Sequence, residues 1–188
     1  ELGDAIFFRC ENLTRVVLPD SVTTIGRAAF EECPKLRDIQ LPANLTTLEQ
    51  GVLSDCVSLE TLIIPEGVTS IGKYALFGCT SLTTLSIPKT VTSVDRSFYG
   101  CSSLERFTLD PANPAFCTDD QGALYTIGMD TLISIPGGYP GDFVIPDTVA
   151  TVQEYAGYGC VTMTGLVIPD SVTDMGDYAF RGCGSLAQ

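Results

Sequence analysis

The residues best suited to chemistry in this chain are its cysteines. Seven of the eight form a series: Cys10, Cys33, Cys56, Cys79, Cys101, Cys160 and Cys183, at steps of 23, 23, 23, 22, 59 and 23 residues. Such a series admits three chemistries: metal ligation, disulfide bonding or burial as free thiols. Zinc needs about four ligands converging on one point, ~2.3 Å from each sulfur. One sulfur per equal interval makes a straight column, which does not converge. Stacked at the ~4.8 Å spacing of paired strands, neighbouring cysteines come within disulfide range, but their parallel Cβ vectors suit the torsion poorly. Seven members also cannot pair completely. Small buried thiols are therefore the expectation, with disulfides and metal as the alternatives. Cys117, off the series, is the one candidate for a reactive thiol, and it too is expected to be inert.

The remaining candidates for chemistry are carboxylates, because the 188-residue chain has no histidine. Asp110, Asp119 and Asp120 lie close together, but their spacing does not fit the D-x-D-x-D-G loop of a calcium site, and an acidic turn is expected. No nucleophile stands beside a base, and no two carboxylates are paired as a glycosidase cleft requires, so no catalytic residues and no cofactor are assigned. Ten basic against 23 acidic residues give a formal charge of -13, a field that repels phosphate backbones and anionic lipid. Nucleic-acid binding and membrane insertion are not expected; no apolar run approaches the ~20 residues of a membrane helix. Asn12 and Asn44 each begin an N-x-T acceptor motif at repeat positions.

The cysteine interval is the period of the whole chain. Between cysteines runs C-x-x-L-x-x-(L/I/V)-x-(L/I)-P-x-x-(V/L)-T-x-(I/V/L)-G-x-x-A-F-x-G-C, with local lapses. Alternation such as Val16-x-Leu18 or Leu85-x-Ile87 is that of a strand with one face inward. Proline ends the strand, V-T-x-I makes a second extended piece, and the Ala-Phe step forms a turn or a single helical turn. A 23-residue coil cannot close a core alone, but stacked coils can, each covering the apolar edge of the next. The expected fold is thus a repeat solenoid of leucine-rich-repeat type: a right-handed coil of parallel β-strands, mostly β and loop with short helical turns. It is expected to span 1–188 as one domain cut at both ends from a longer array, since no polar capping unit is visible.

Blocks such as IPEGVTSIGKYALFGC (64–79) and IPDSVTDMGDYAFRGC (168–183) resemble the leucine-rich repeats of the BspA-like bacterial surface proteins. The resemblance covers essentially the whole chain. It implies a secreted or cell-surface adhesin that binds host matrix proteins or other cells, with no shared catalytic residues. The segment NPAFCTDDQGALYTIGMDTLISIPGG (113–138) resembles an interruption common in that family. Gly157 departs from the pattern by standing where an aromatic is expected.

Read on its own residues, the interruption is a hairpin. GALYTI and TLISIP flank Gly128-Met129-Asp130, and PGGYPGDF leads back to the repeat, so an inserted hairpin and loop are expected over 110–142. Insertions in such arrays sit on one face, often the binding face. The hairpin is either a structural extension or part of a recognition surface.

Several columns repeat with the period. Gly3, Gly26, Gly72 and Gly176 suggest a left-handed backbone, but Glu49, Asp95 and Gln153 share the position, so the backbone there accepts a side chain. Thr23, Thr46, Thr69, Thr92 and Thr173 suit a hydroxyl ladder, and Phe7, Phe30, Phe98 and Phe180 suit the core. The columns that vary face outward. One reads Val17, Gln40, Ile63, Ser86, Thr108, Val144 and Val167; beside it stand Arg15, Asp38, Thr61, Thr84, Arg106 and Gly165. These outward residues, with Arg15 and Arg106 at their flank, are the candidate partner surface of an extracellular protein-binding module. Scattered surface β-formers are the alternative account of the residues, and a spacer without a ligand is the alternative function.

Overall fold

The computed structural model describes residues 1–187. Its strands run on two of the three sides of a repeating coil, and no helix occurs among the described residues. The first side carries two parallel groups: β1 (Arg15–Val17) with β2 (Asp38–Gln40), then β4 (Thr61–Ile63), β6 (Thr84–Ile87) and β8 (Arg106–Leu109). Arg15 stands opposite Asp38, Thr61 opposite Thr84, and Thr84 opposite Arg106. Further along, β12 (Gly141–Val144) pairs parallel with β14 (Met163–Val167).

The proline after each of these strands but β8 starts the next corner. Its carbonyl accepts the amide of the residue three places on, from Pro19 to Val22, Pro42 to Leu45, Pro65 to Val68 and Pro88 to Val91. Proline lacks an N–H but keeps its acceptor, so P-x-x-V closes the corner without breaking the ladder. The second side follows, with β3 (Thr47–Leu48), β5 (Ser70–Ile71) and β7 (Ser93–Val94) in one parallel group. A second parallel group holds β11 (Thr131–Ser134), β13 (Thr151–Val152) and β15 (Asp174–Met175). Thr69 Oγ1 donates to Thr46 O at 3.3 Å, one rung of the threonine column.

The third side is the Ala-Phe step, which folds as a turn and not as a helical turn. Two residues in each copy are left-handed. One column holds Ala5, Ala28, Gly51, Tyr74, Arg96, Tyr155 and Tyr178; the other holds Arg9, Glu32, Asp55, Gly78, Gly100, Gly159 and Gly182. A left-handed residue at each end of a five-residue step forbids a helix there. These are the positions where glycine relieves strain. Gly3, Gly26, Gly72 and Gly176 are not left-handed. At Gly26, Gly72 and Gly176 glycine answers a close approach instead: a Cβ on Gly72 would lie 2.9 Å from both Gln50 N and Leu48 O of the coil before.

The hairpin is built into the stack. Strands β10 (Leu124–Thr126) and β11 pair antiparallel, and β9 (Phe116–Thr118) adds a third antiparallel strand, so Phe116–Thr118 is part of a meander where turn formers suggested only a break. Consecutive β10 side chains are both fully buried, on opposite sides: Leu124 joins the core of the earlier coils and Tyr125 that of the later ones. Ile133 and Leu132 divide in the same way along β11. The meander therefore stands as a wall between two cores. Because β11 already occupies the second side, the chain passes directly to β12 through residues 135–140. The third side closes over this shortcut, with a Cβ on Gly159 placed 3.6 Å from Gly100 Cα, the spacing Gly100 keeps to Gly78.

Asp119 ties the meander down. Its carboxylate accepts from Ala123 N at 2.9 Å and from the buried Tyr125 Oη at 2.7 Å. Asp110 accepts from Ala112 N at 2.8 Å. Both acids are thus occupied as turn formers. Phe30 and Phe98 are buried, Phe7 stacks on Phe30 at 5.2 Å, and the half-buried Phe180 ring fills the space an aromatic at Gly157 would need.

All eight cysteines are free, and Cys33, Cys56, Cys79, Cys101 and Cys160 are buried. The column is held by carbonyls: Cys33 donates to Phe7 O at 3.1 Å, Cys56 to Phe30 O, Cys79 to Leu53 O and Cys101 to Leu76 O, each at 3.2 Å. Burial raises the Cys56 and Cys101 thiols from 9.0 to about 12. The native thiol then keeps a proton that the unfolded chain releases, so stability is intact below pH 9 and declines as pH rises toward 12. Denaturant midpoints measured from pH 7 to 11 are expected to fall only in the upper part of the range. Cys56→Ala should flatten that fall, and an unchanged slope would show that other groups govern it.

Candidate interaction surface

The first-side ladder places the outward residues in register. Val17 lies opposite Gln40, Ile63 opposite Ser86, Ser86 opposite Thr108, and Val144 opposite Val167. All seven are exposed, because the period of two along each strand turns them from the core that Ile39, Leu62, Leu85, Phe107 and Phe143 fill. Four are large aliphatics: Val17 is 56% exposed, Ile63 84%, Val144 48% and Val167 52%. Shallow hollows lie on both sides of Ile63. One of about 460 Å³ includes Arg15, Gln40 and Thr61 in its lining; another of about 340 Å³ includes Ser86, Pro88 and Asp110. Ile63 is thus an apolar ridge between two depressions.

The polar positions differ in how free they are. Arg15 pairs with Asp38 at 2.9 Å across the two strands, both side chains well exposed. The Thr108 hydroxyl donates to Leu85 O at 3.3 Å. Arg106 reaches back over the meander turn to Asp120 O at 3.5 Å. Ser86 and Gln40 are left to solvent.

One residue of this face was missed in the outward columns. Gln121 fills the break between Thr108 and Val144: Phe107 N donates to Gly122 O at 3.0 Å, and the Gln121 side chain bonds Val144 O at 3.0 Å and Val144 N at 3.3 Å. A signal was present, since Gln121, Val144 and Val167 are spaced by 23. Gln121 thus bridges the gap in this face between Thr108 and Val144. No group of histidine, cysteine or acidic side chains able to hold a metal occurs among the described residues. What the face offers is area, apolar anchors and a few free polar groups, which suits contact with another macromolecule.

These features define a leucine-rich-repeat solenoid with an open strand face. The model of the BspA type leucine rich repeat region matches residues 1–117 and 141–188 in six copies, and this chain belongs to that family. The unmatched stretch is the meander and shortcut. Among solved structures, a leucine rich cell surface protein of Faecalibacterium prausnitzii is 26% identical with a TM-score of 0.73; the alignment covers 98% of this chain and 62% of that one. The leucine rich repeat protein of T. pallidum is 25% identical with a TM-score of 0.61, over 100% of this chain and 71% of that one. A leucine-rich repeat protein of Eubacterium ventriosum, 23% identical with a TM-score of 0.76, shares the fold over 98% of this chain and 56% of its own. This chain thus spans about three fifths of the length of the F. prausnitzii protein. No curated protein matches it. No helix among the described residues is long and apolar enough to cross a membrane.

Proposed function

We propose that this chain is a non-catalytic binding module of a bacterial surface protein, which holds a host or neighbouring-cell protein against its first-side strand face. The observation that carries the reading is Ile63, an aliphatic side chain 84% exposed at the ridge between two hollows. Such an anchor is costly to leave in water and contributes on being covered. The cell-surface description of the F. prausnitzii relative supports the location.

The test is saturable binding of the intact natural protein to immobilised extracellular-matrix proteins and to epithelial cells. Ile63→Asp with Val167→Asp is expected to weaken binding by about tenfold or more, the scale of losing buried anchors. Binding unaltered by both substitutions removes this face from the mechanism. Failure of the intact protein to bind any of them favours a spacer.

A further inference from the structure

The third side of the coil carries a second surface, on different residues from the strand face. Its aromatic side chains gather where the period breaks. Tyr99 and Tyr155 stack at 4.8 Å, Tyr155 and Tyr178 at 5.3 Å, and Tyr74 meets Tyr99 edge-on at 6.3 Å and Phe77 at 6.0 Å. Tyr99 closes the row because the place between Tyr74 and Tyr155 in their own column is held by Arg96, whose guanidinium turns to Glu154 at 2.6 Å. With Tyr158, five of the chain's seven tyrosines lie in this one array.

The array stops at Phe77 and Tyr74. One coil earlier, the corresponding positions hold Ser54 and Gly51; two coils earlier, Glu31 and Ala28. The step from rings to small residues leaves a hollow of about 370 Å³, with Glu31, Ser54 and Asp55 at one end, Tyr74, Phe77 and Tyr99 beside them, and Arg181 in the lining beyond the rings. Both carboxylates lean along the stack into space that glycine leaves open. A Cβ on Gly51 would lie 3.3 Å from Glu31 Oε2, and one on Gly78 would meet Asp55 Oδ1. Neither acid forms an ion pair among the described residues, where Arg9 is committed to Glu32, Arg15 to Asp38, and Arg96 to Asp95 and Glu154. Burial is the first cause raising both Glu31 and Asp55 above the ordinary carboxylate range; the Ser54 hydroxyl, donating to Asp55 at 3.2 Å, and the Arg9 charge near Glu31 offset it only in part. The array already holds two cations of its own, Lys73 over Tyr74 at 4.8 Å and Arg181 over Tyr178 at 5.3 Å.

We infer that this hollow is a receptor for a basic side chain, a lysine or arginine presented by a partner protein, seated between the Phe77–Tyr74 rings and the Glu31–Asp55 carboxylates. A cation there lies between aromatic rings and two carboxylates that form no ion pair among the described residues. A saccharide fits less well, because it needs open ring faces and the central rings cover one another.

The chain has no tryptophan, so its emission comes from tyrosine, and five of its seven tyrosines lie in the array. Titration with acetyl-tetra-arginine amide is expected to change that emission saturably, and Glu31→Gln with Asp55→Asn is expected to weaken the response about tenfold. Asparagine tolerates the left-handed backbone of Asp55, at φ 56°, so the variant keeps its turn. A charge-matched variant, Asp147→Asn with Asp170→Asn in exposed corners, should titrate like the parent. Phe77→Ala should weaken binding with no change in charge. The inference is overturned by an absent or unsaturable response. Equal loss in both charge variants also sinks it, since that is the general field of the chain, and so does an equal response to maltotetraose. The strand-face variants Ile63→Asp and Val167→Asp should bind the peptide as the parent does, which separates this site from the first.

Discussion

Replacing Leu62 by alanine is expected to cost about 2–5 kcal/mol of folding stability, while the same change at Ile63, the next residue, should stay within about 0.5 kcal/mol. The two aliphatics are adjacent in one three-residue strand, yet Leu62 is 6% exposed and Ile63 84%. Leu62 sits opposite Leu85 in the parallel ladder and fills the core between neighbouring coils. Truncation leaves a cavity that the stack cannot collapse, because its coil spacing is set by the backbone ladders on the other sides. Ile63 loses only contacts with water. Denaturant unfolding of the two variants side by side measures the difference. Equal costs would mean that the strand register is wrong by one residue, which would turn the proposed binding face inward.

Gly137→Ala carries the second large effect, an expected loss of about 2–3 kcal/mol. A Cβ there would lie 2.8 Å from the Cys101 carbonyl carbon and 3.1 Å from Ser102 Cα, and closer still to the Cys101 oxygen. All three are backbone atoms, so no rotamer relieves the contact. The segment 135–140 must move away from the coil it lies on, and with it the wall that joins the two cores. Gly128→Ala is the control: at the hairpin tip the nearest atom to its Cβ is Asp130 Oδ2 at 3.9 Å, and its cost should be near zero. Thermal midpoints give the comparison, and hydrogen exchange should localise the loss to Thr131–Ser134. A tolerated alanine at 137 would show that the shortcut is not packed against the earlier coils.

The outward columns of the strand face were legible because parallel strands stack equal positions, and a period of 23 states which positions those are. The same rule explained the cysteine column, since one small apolar thiol per coil meets one carbonyl of the coil before, as Cys79 meets Leu53 O. It also showed that Gly72 and its equivalents need no left-handed backbone, because Glu49 and Asp95 occupy the same place. Of the two columns that do need one, the first carries glycine only at Gly51, and the second carries Arg9, Glu32 and Asp55 in the early coils and glycine from Gly78 onward. No residue type marked them along the whole chain.

By itself, then, the order of residues determined the coil, its inward and outward alternation, and the family, since each depends on like positions meeting at a constant offset. Only the tertiary structure decided that the hairpin is an internal wall with Leu124 and Tyr125 facing separate cores, and that Gln121 completes the strand face. It alone also brought Tyr99 onto Tyr155 and Arg96 onto Glu154. The physical reason is the shortcut through residues 135–140. Where the third side closes over it, contacts join residues whose separation is no multiple of the period, and periodicity is silent about such pairs.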